Sequence, residues 1–111
     1  MRELLPYREY INIPVIENEY YVIFASQYPH FHKEIHYHMN FPKLSKEGLK
    51  RLKADATYLS YCAENAGLKA RTVFFKEDED FAERLTKALG WVKLEEFQYL
   101  GRTFIKYGKE S

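Results

Sequence analysis

Apolar positions alternate through the first third of the chain and then shift to a three-and-four spacing after Phe41. Tyr10 to Val15 (YINIPV) alternates with β-branched residues, and Tyr20 to Ala25 (YYVIFA) is a continuous apolar run of strand length. Glu17, Asn18 and Glu19 between them are turn formers, so the two segments predict a hairpin, and Pro14 confines its first strand to a sheet edge. Lys33 to Phe41 predicts a third strand with Ile35, Tyr37, Met39 and Phe41 on one face and His36 and His38 on the other. Leu49, Leu52, Ala56, Leu59, Ala63 and Ala66 then recur at helical spacing. Ser45 stands as N-cap and Gly67 where a left-handed C-cap belongs, which predicts a helix from Lys46 to Ala66. Arg71 to Phe75 reads as a short buried strand. Phe81, Leu85, Ala88 and Leu89 mark a second helix, capped by Asp78, carrying Glu79 and Asp80 in its first turn and ended by Gly90. Trp91 to Leu100 and Thr103 to Tyr107 close as a hairpin around Gly101 and Arg102. The order β-β-β-α-β-α-β-β predicts an α+β fold, one mixed sheet with two helices, in a single domain over residues 1–111 whose first nine residues are either disordered or an N-terminal arm.

Composition narrows the class. An apolar share of 46% with 10 Tyr, 8 Phe and Trp91 supplies one core, as expected for a chain of 111 residues. Seventeen basic against 16 acidic residues leave a formal charge of +1, so no summed field favours nucleic acid or an anionic membrane. Lys43, Lys46, Lys50, Arg51 and Lys53 cluster locally, which reads as a solvated helix face. Cys62 is the single cysteine, so no disulfide forms within the chain and a reducing compartment, the cytoplasm or the interior of an assembled particle, is the expectation. The charged start lacks the apolar stretch of a signal peptide, and no run approaches the roughly eighteen apolar residues of a membrane span.

The run FAERLTKALGW and the final hairpin carry a resemblance. With the element order, they make residues 20 to 107 similar to the second half of the GNAT acetyltransferase superfamily, in which a helix ends in an apolar-Gly-aromatic step such as Leu89-Gly90-Trp91. The family's first strand and two following helices have no room in the nineteen residues before Tyr20. The resemblance implies an acetyl-CoA pyrophosphate loop of the form Gln/Arg-x-x-Gly-x-Gly/Ala ahead of the long helix, where small residues let backbone N–H groups approach the phosphates. Ser45, Gly48 and Lys50 stand at those positions, so only the glycine is kept; Ser45, Lys46, Gly48 and Lys50 are the residues acetyl-CoA would meet. The family's general-acid tyrosine is matched by Thr86, whose hydroxyl is too weak an acid to protonate a leaving thiolate efficiently. From Leu44 through Lys106 the stretch looks most like the GNAT-like internal virion proteins of short-tailed phages.

All four histidines fall within nine residues, as His30-x-His32 and His36-x-His38. Neighbouring imidazoles on a strand can bind zinc, but Pro29 and Lys33-Glu34 break the run and no cysteine or placed carboxylate completes a site, so no metal is expected. The resemblance assigns the strand Lys33 to Phe41 to the substrate channel, with His36 or His38 as the base if acetyl transfer persists. Their ordinary reading is a histidine packed under a helix. Tyr7, Tyr10, Tyr20, Tyr58, Tyr61, Tyr99 and Tyr107 exceed what the core requires and suit either a protein interface or a covered sheet. The resulting expectation is a non-catalytic GNAT-like protein without a cofactor that binds another protein, as a phage-encoded structural or host-directed factor. An acetyl-CoA-dependent N-acetyltransferase is the alternative.

Overall fold

The computed structural model of the chain describes residues 13–27, 33–41 and 45–109. The arm, Tyr7, Tyr10, Pro29, His30 and His32 lie outside the described residues. Among the described residues six strands and two α-helices follow in the expected order: β1 (Ile13–Glu17), β2 (Val22–Ser26), β3 (Glu34–Asn40), α1 (Lys46–Asn65), β4 (Lys69–Phe75), α2 (Glu79–Leu89), β5 (Val92–Tyr99) and β6 (Arg102–Gly108).

They form one mixed sheet in the order β1-β2-β3-β4-β6-β5. Only β3 and β4 run parallel, because α1 crosses between them; the other neighbours are antiparallel. β1, with Pro14, lies at an edge, where a missing N–H breaks no ladder. The turn before β2 is held by Asn18, whose Oδ1 accepts the N–H of Tyr20 at 2.8 Å and of Tyr21 at 3.2 Å.

Both helices pack on one face. Leu52, Ala56, Leu59 and Ala63 of α1 and Ala82 and Leu85 of α2 close over Ile23, Tyr37, Ala70, Ile105 and Tyr107. Two phenols fix α1 to this face. The Tyr21 hydroxyl donates to the Asp55 carboxylate, and the Tyr37 hydroxyl donates to the Leu59 carbonyl at 3.2 Å, one helical turn further on. Tyr107, assigned by its sequence to the surplus tyrosines, is fully buried in this core, because the two-residue period of β6 places it beside Ile105.

The opposite face carries a smaller cluster of Val73, Phe75 and Phe104, extended by Phe97 and Tyr99. The Phe97 and Phe104 rings stack with centroids 5.5 Å apart. His36 and His38 belong to this face. Buried as expected, they are not under a helix, since among the described residues no helix packs here.

α2 ends as its sequence predicts. Gly90 takes φ +76°, the Trp91 N–H returns to the Thr86 carbonyl at 2.8 Å, and the turn drives Trp91 into the core. Its start departs from expectation. Lys76–Asp78 form a single 3-10 turn, which leaves Asp78 without a side-chain bond to the helix N-terminus.

Candidate functional site

β3 and β4 pair over only three positions, Glu34 with Lys69, Ile35 with Ala70 and His36 with Arg71, and then part. The gap is a cleft of about 300 Å³ at the carboxyl ends of the two parallel strands. Met39, Phe41, Phe74 and Phe81 make its wall apolar, while His38, Asn40, Thr72 and Asp78 supply its polar groups. Edge-to-face contacts set that wall: the Phe41 and Phe81 centroids are 5.8 Å apart, and those of Phe74 and Phe81 6.3 Å. Such a shape, apolar with a few convergent polar groups, accommodates a small or extended ligand.

Of the expected base residues, His38 lines this cleft, and the His36 ring lies 6.3 Å from the His38 ring on the same strand. His38 is 3% exposed, and burial, followed by the neighbouring His36, pushes its pKa down to about 3. It is a neutral imidazole at physiological pH. His36 is fully buried, and its Nε2 lies 3.0 Å from Glu34 Oε1; since a carboxylate only accepts, Nε2 carries the proton. Burial lowers the His36 pKa, with Glu34 acting in the other direction.

Glu34 is the centre of an ionic cluster. Lys106 Nζ donates to both of its oxygens, at 3.0 and 3.4 Å, and Arg71 Nε stands 3.7 Å from Oε2. Lys106 and Arg71 are both buried, and Lys106 also meets the half-exposed Glu95 at 3.5 Å. Burial raises the Glu34 pKa, but hydrogen bonds from His36 and Lys106 outweigh it and hold the carboxyl below its usual range. Gly108 makes room for Arg71: a methyl there would lie 2.5 Å from Nη1. Of this cluster the sequence pointed to His36 as a candidate base, to Glu34 only as a break in the histidine run, and to Lys106 and the charge of Arg71 not at all. The available signal was Lys106 itself, a charge set between Phe104-Ile105 and Tyr107.

The positions matched to the pyrophosphate loop meet at the start of α1. Ser45 caps the helix as expected, its Oγ accepting the Gly48 N–H at 3.1 Å. The Tyr20 side chain packs against the Cα of Gly48. Lys46 and Lys50 point to solvent. At the position of the family's general acid, Thr86 is buried and its Oγ1 donates to the Ala82 carbonyl at 2.7 Å, a bond within its own helix. The structure thus brings His36 and His38 together beside the cleft and leaves Ser45, Lys46, Gly48 and Lys50 at the helix start.

Among the described residues no group of three or more His, Cys, Asp or Glu side chains is placed to hold a metal ion, and no helix is long and apolar enough to cross a membrane. No family model, no curated protein and no solved structure matches this chain.

Proposed function

We propose that this protein is a non-catalytic domain of GNAT-like layout that acts by binding another protein. One observation carries the reading: the hydroxyls at the two positions where the resemblance puts acetyl-transfer machinery are spent inside their own helices, Ser45 on Gly48 and Thr86 on Ala82. A further support is His38, whose burial removes the near-neutral basicity that deprotonating an amine needs. The strand order is consistent with the layout. Large side chains stand out at the surface instead, with Tyr58, Tyr61 and Leu100 each more than 60% exposed. The sequence resemblance extends the reading to a phage-encoded structural or host-directed factor.

A second reading, an acetyl-CoA-dependent N-acetyltransferase, is favoured by the cleft between β3 and β4. Open sheets take ligands at the carboxyl ends of diverging parallel strands, and β3 is the strand the resemblance assigns to the substrate channel.

Chemical cross-linking of the full chain in its source cells separates the two. The binding reading expects one discrete cross-linked protein, retained when Thr86→Val removes the hydroxyl. Transfer of a labelled acetyl group to the captured protein, lost with Thr86→Val, would make the enzyme reading the correct one.

A further inference from the structure

The protein-binding reading leaves open which surface does the binding, and the charges of the two surfaces differ. On the side of α2, β5 and β6, three cations are matched, while among the described residues the exposed Arg84 and Lys87 of α2 enter no ion pair. Lys76 pairs with Glu79 and Glu96, Lys93 with the same two carboxylates, and Arg102 with Glu77. The outward face of α1 is built otherwise. Lys46, Lys50, Arg51 and Lys53 are all exposed, and among the described residues none of the four has a carboxylate partner. Glu47 is the one acidic residue interspersed with them; Asp55, next along, holds Tyr21. The positive end of the helix dipole adds to this field. Two turns further on, the same face presents Tyr58 and Tyr61, 61% and 62% exposed.

We infer that the outward face of α1 is the docking surface and that its occupant is an acidic segment of another protein. Charge complementarity specifies the class. Cations without carboxylate partners in the first two turns, of which Arg51 stands over the Tyr20 ring at 5.9 Å, call for carboxylates, and the exposed tyrosine rings further along call for apolar side chains following them. From Lys50 to Tyr61 the face is about 16 Å long, the reach of about five extended residues. A nucleic acid fits less well. Its phosphates continue along the strand, whereas the last turn of α1 carries no basic residue, exposes Glu64 and presents the negative end of the helix dipole.

The test titrates the isotopically labelled full chain with a synthetic peptide bearing a run of glutamates followed by two leucines. The same peptide with glutamines, and an oligothymidylate of equal length, are the comparators. The expected result is amide shift changes confined to α1, a dissociation constant raised at least tenfold by the double variant Lys50→Glu, Lys53→Glu and several-fold by Tyr61→Ala, with the melting temperature of each variant unchanged because all three side chains are exposed. The glutamine peptide should not bind and the oligothymidylate should bind more weakly. No shift change, changes mapping elsewhere, affinity that survives the charge reversal, or tighter binding of the oligothymidylate to the same residues would each overturn the inference. Such a failure, with acetyl-CoA also failing to bind, removes this surface and leaves the protein-binding reading in place; acetyl-CoA binding removes that reading itself.

Discussion

Gly48 and Tyr20 are packed so closely that a methyl group on Gly48 would lie 3.0 Å from both Cβ and Cγ of the tyrosine. Those two atoms sit next to the Tyr20 backbone, so they cannot swing aside as the end of a flexible chain could. The glycine at the start of α1 therefore has a packing reason to be there. Conformational freedom is not that reason, since Gly48 lies within a regular helix. Nor does a bound phosphate have to be invoked for it.

This contact gives an expectation with a sign change. Gly48→Ala should destabilise the protein by about 1–2 kcal/mol, because overpacking outweighs the usual gain of alanine in a helix. In a Tyr20→Gly background, which removes both crowding atoms, the same substitution should stabilise by about 0.5–1 kcal/mol. Urea unfolding of the four proteins measures both. A stabilising Gly48→Ala in the parent would show that Tyr20 does not crowd the site.

His38 makes stability depend on acid. Its folded pKa is depressed from 6.5 to about 3, so between those values the unfolded chain takes up a proton that the folded chain refuses. Stability is fully present above about pH 6.5 and falls as pH is lowered, by about 1.4 kcal/mol per unit for this one group. His36, shifted in the same direction, adds to the loss. The direct observation is the imidazole resonance of His38, which should stay flat from neutral pH down to about pH 4.5. A midpoint near 6.5 would restore His38 as a candidate base.

Glu34 and Glu95 both approach Lys106, yet they should respond very differently to substitution. Glu34→Gln leaves Arg71 and Lys106 buried without the carboxylate between them, and a loss of about 3 kcal/mol is expected. Glu95→Gln touches a half-exposed partner and should cost less than about 1 kcal/mol. Denaturant midpoints decide it. Equal effects would mean that the Glu34 cluster does not bear on the fold.

Leu100 has φ +51° at the tip of the β5–β6 hairpin, followed by Gly101 at +76°, and it is 72% exposed. Two successive positive φ values suit Asn-Gly, and a leucine there is strained without being packed. Leu100→Asn should raise stability by about 0.5–1 kcal/mol in thermal unfolding. A loss would mean that the leucine makes a contact worth more than its strain.

The elements were legible because the apolar period changes visibly at Phe41, Gly67 and Gly90, and because Ser45 and Gly90 cap with local chemistry that needs no partner. The pairing of the strands was not. β6 enters the sheet between β4 and β5, a long-range arrangement that no local pattern encodes, and it is this insertion that buries Lys106 and brings it to Glu34. Arg71 stood in a strand legible as buried, but the partner of its charge, Glu34, lies on β3, across a pairing that no local pattern encodes. Tyr107 and Tyr61 were indistinguishable as surplus aromatics, and only the sheet separates the core residue from the exposed one. The cleft also depends on tertiary structure, since it exists where β3 and β4 stop pairing.

The central claim, that the groups placed where acetyl transfer would need them serve the fold, is tested most directly by calorimetric titration of the full chain with acetyl-CoA at 25 °C. With the Gly48 N–H taken by Ser45 Oγ and the side of Gly48 where a Cβ would stand packed by Tyr20, no saturable heat is expected up to about millimolar ligand, a binding free energy weaker than about −4 kcal/mol. A saturable isotherm with a dissociation constant in the low micromolar range, about −8 kcal/mol, would contradict the account and put the acetyltransferase reading first.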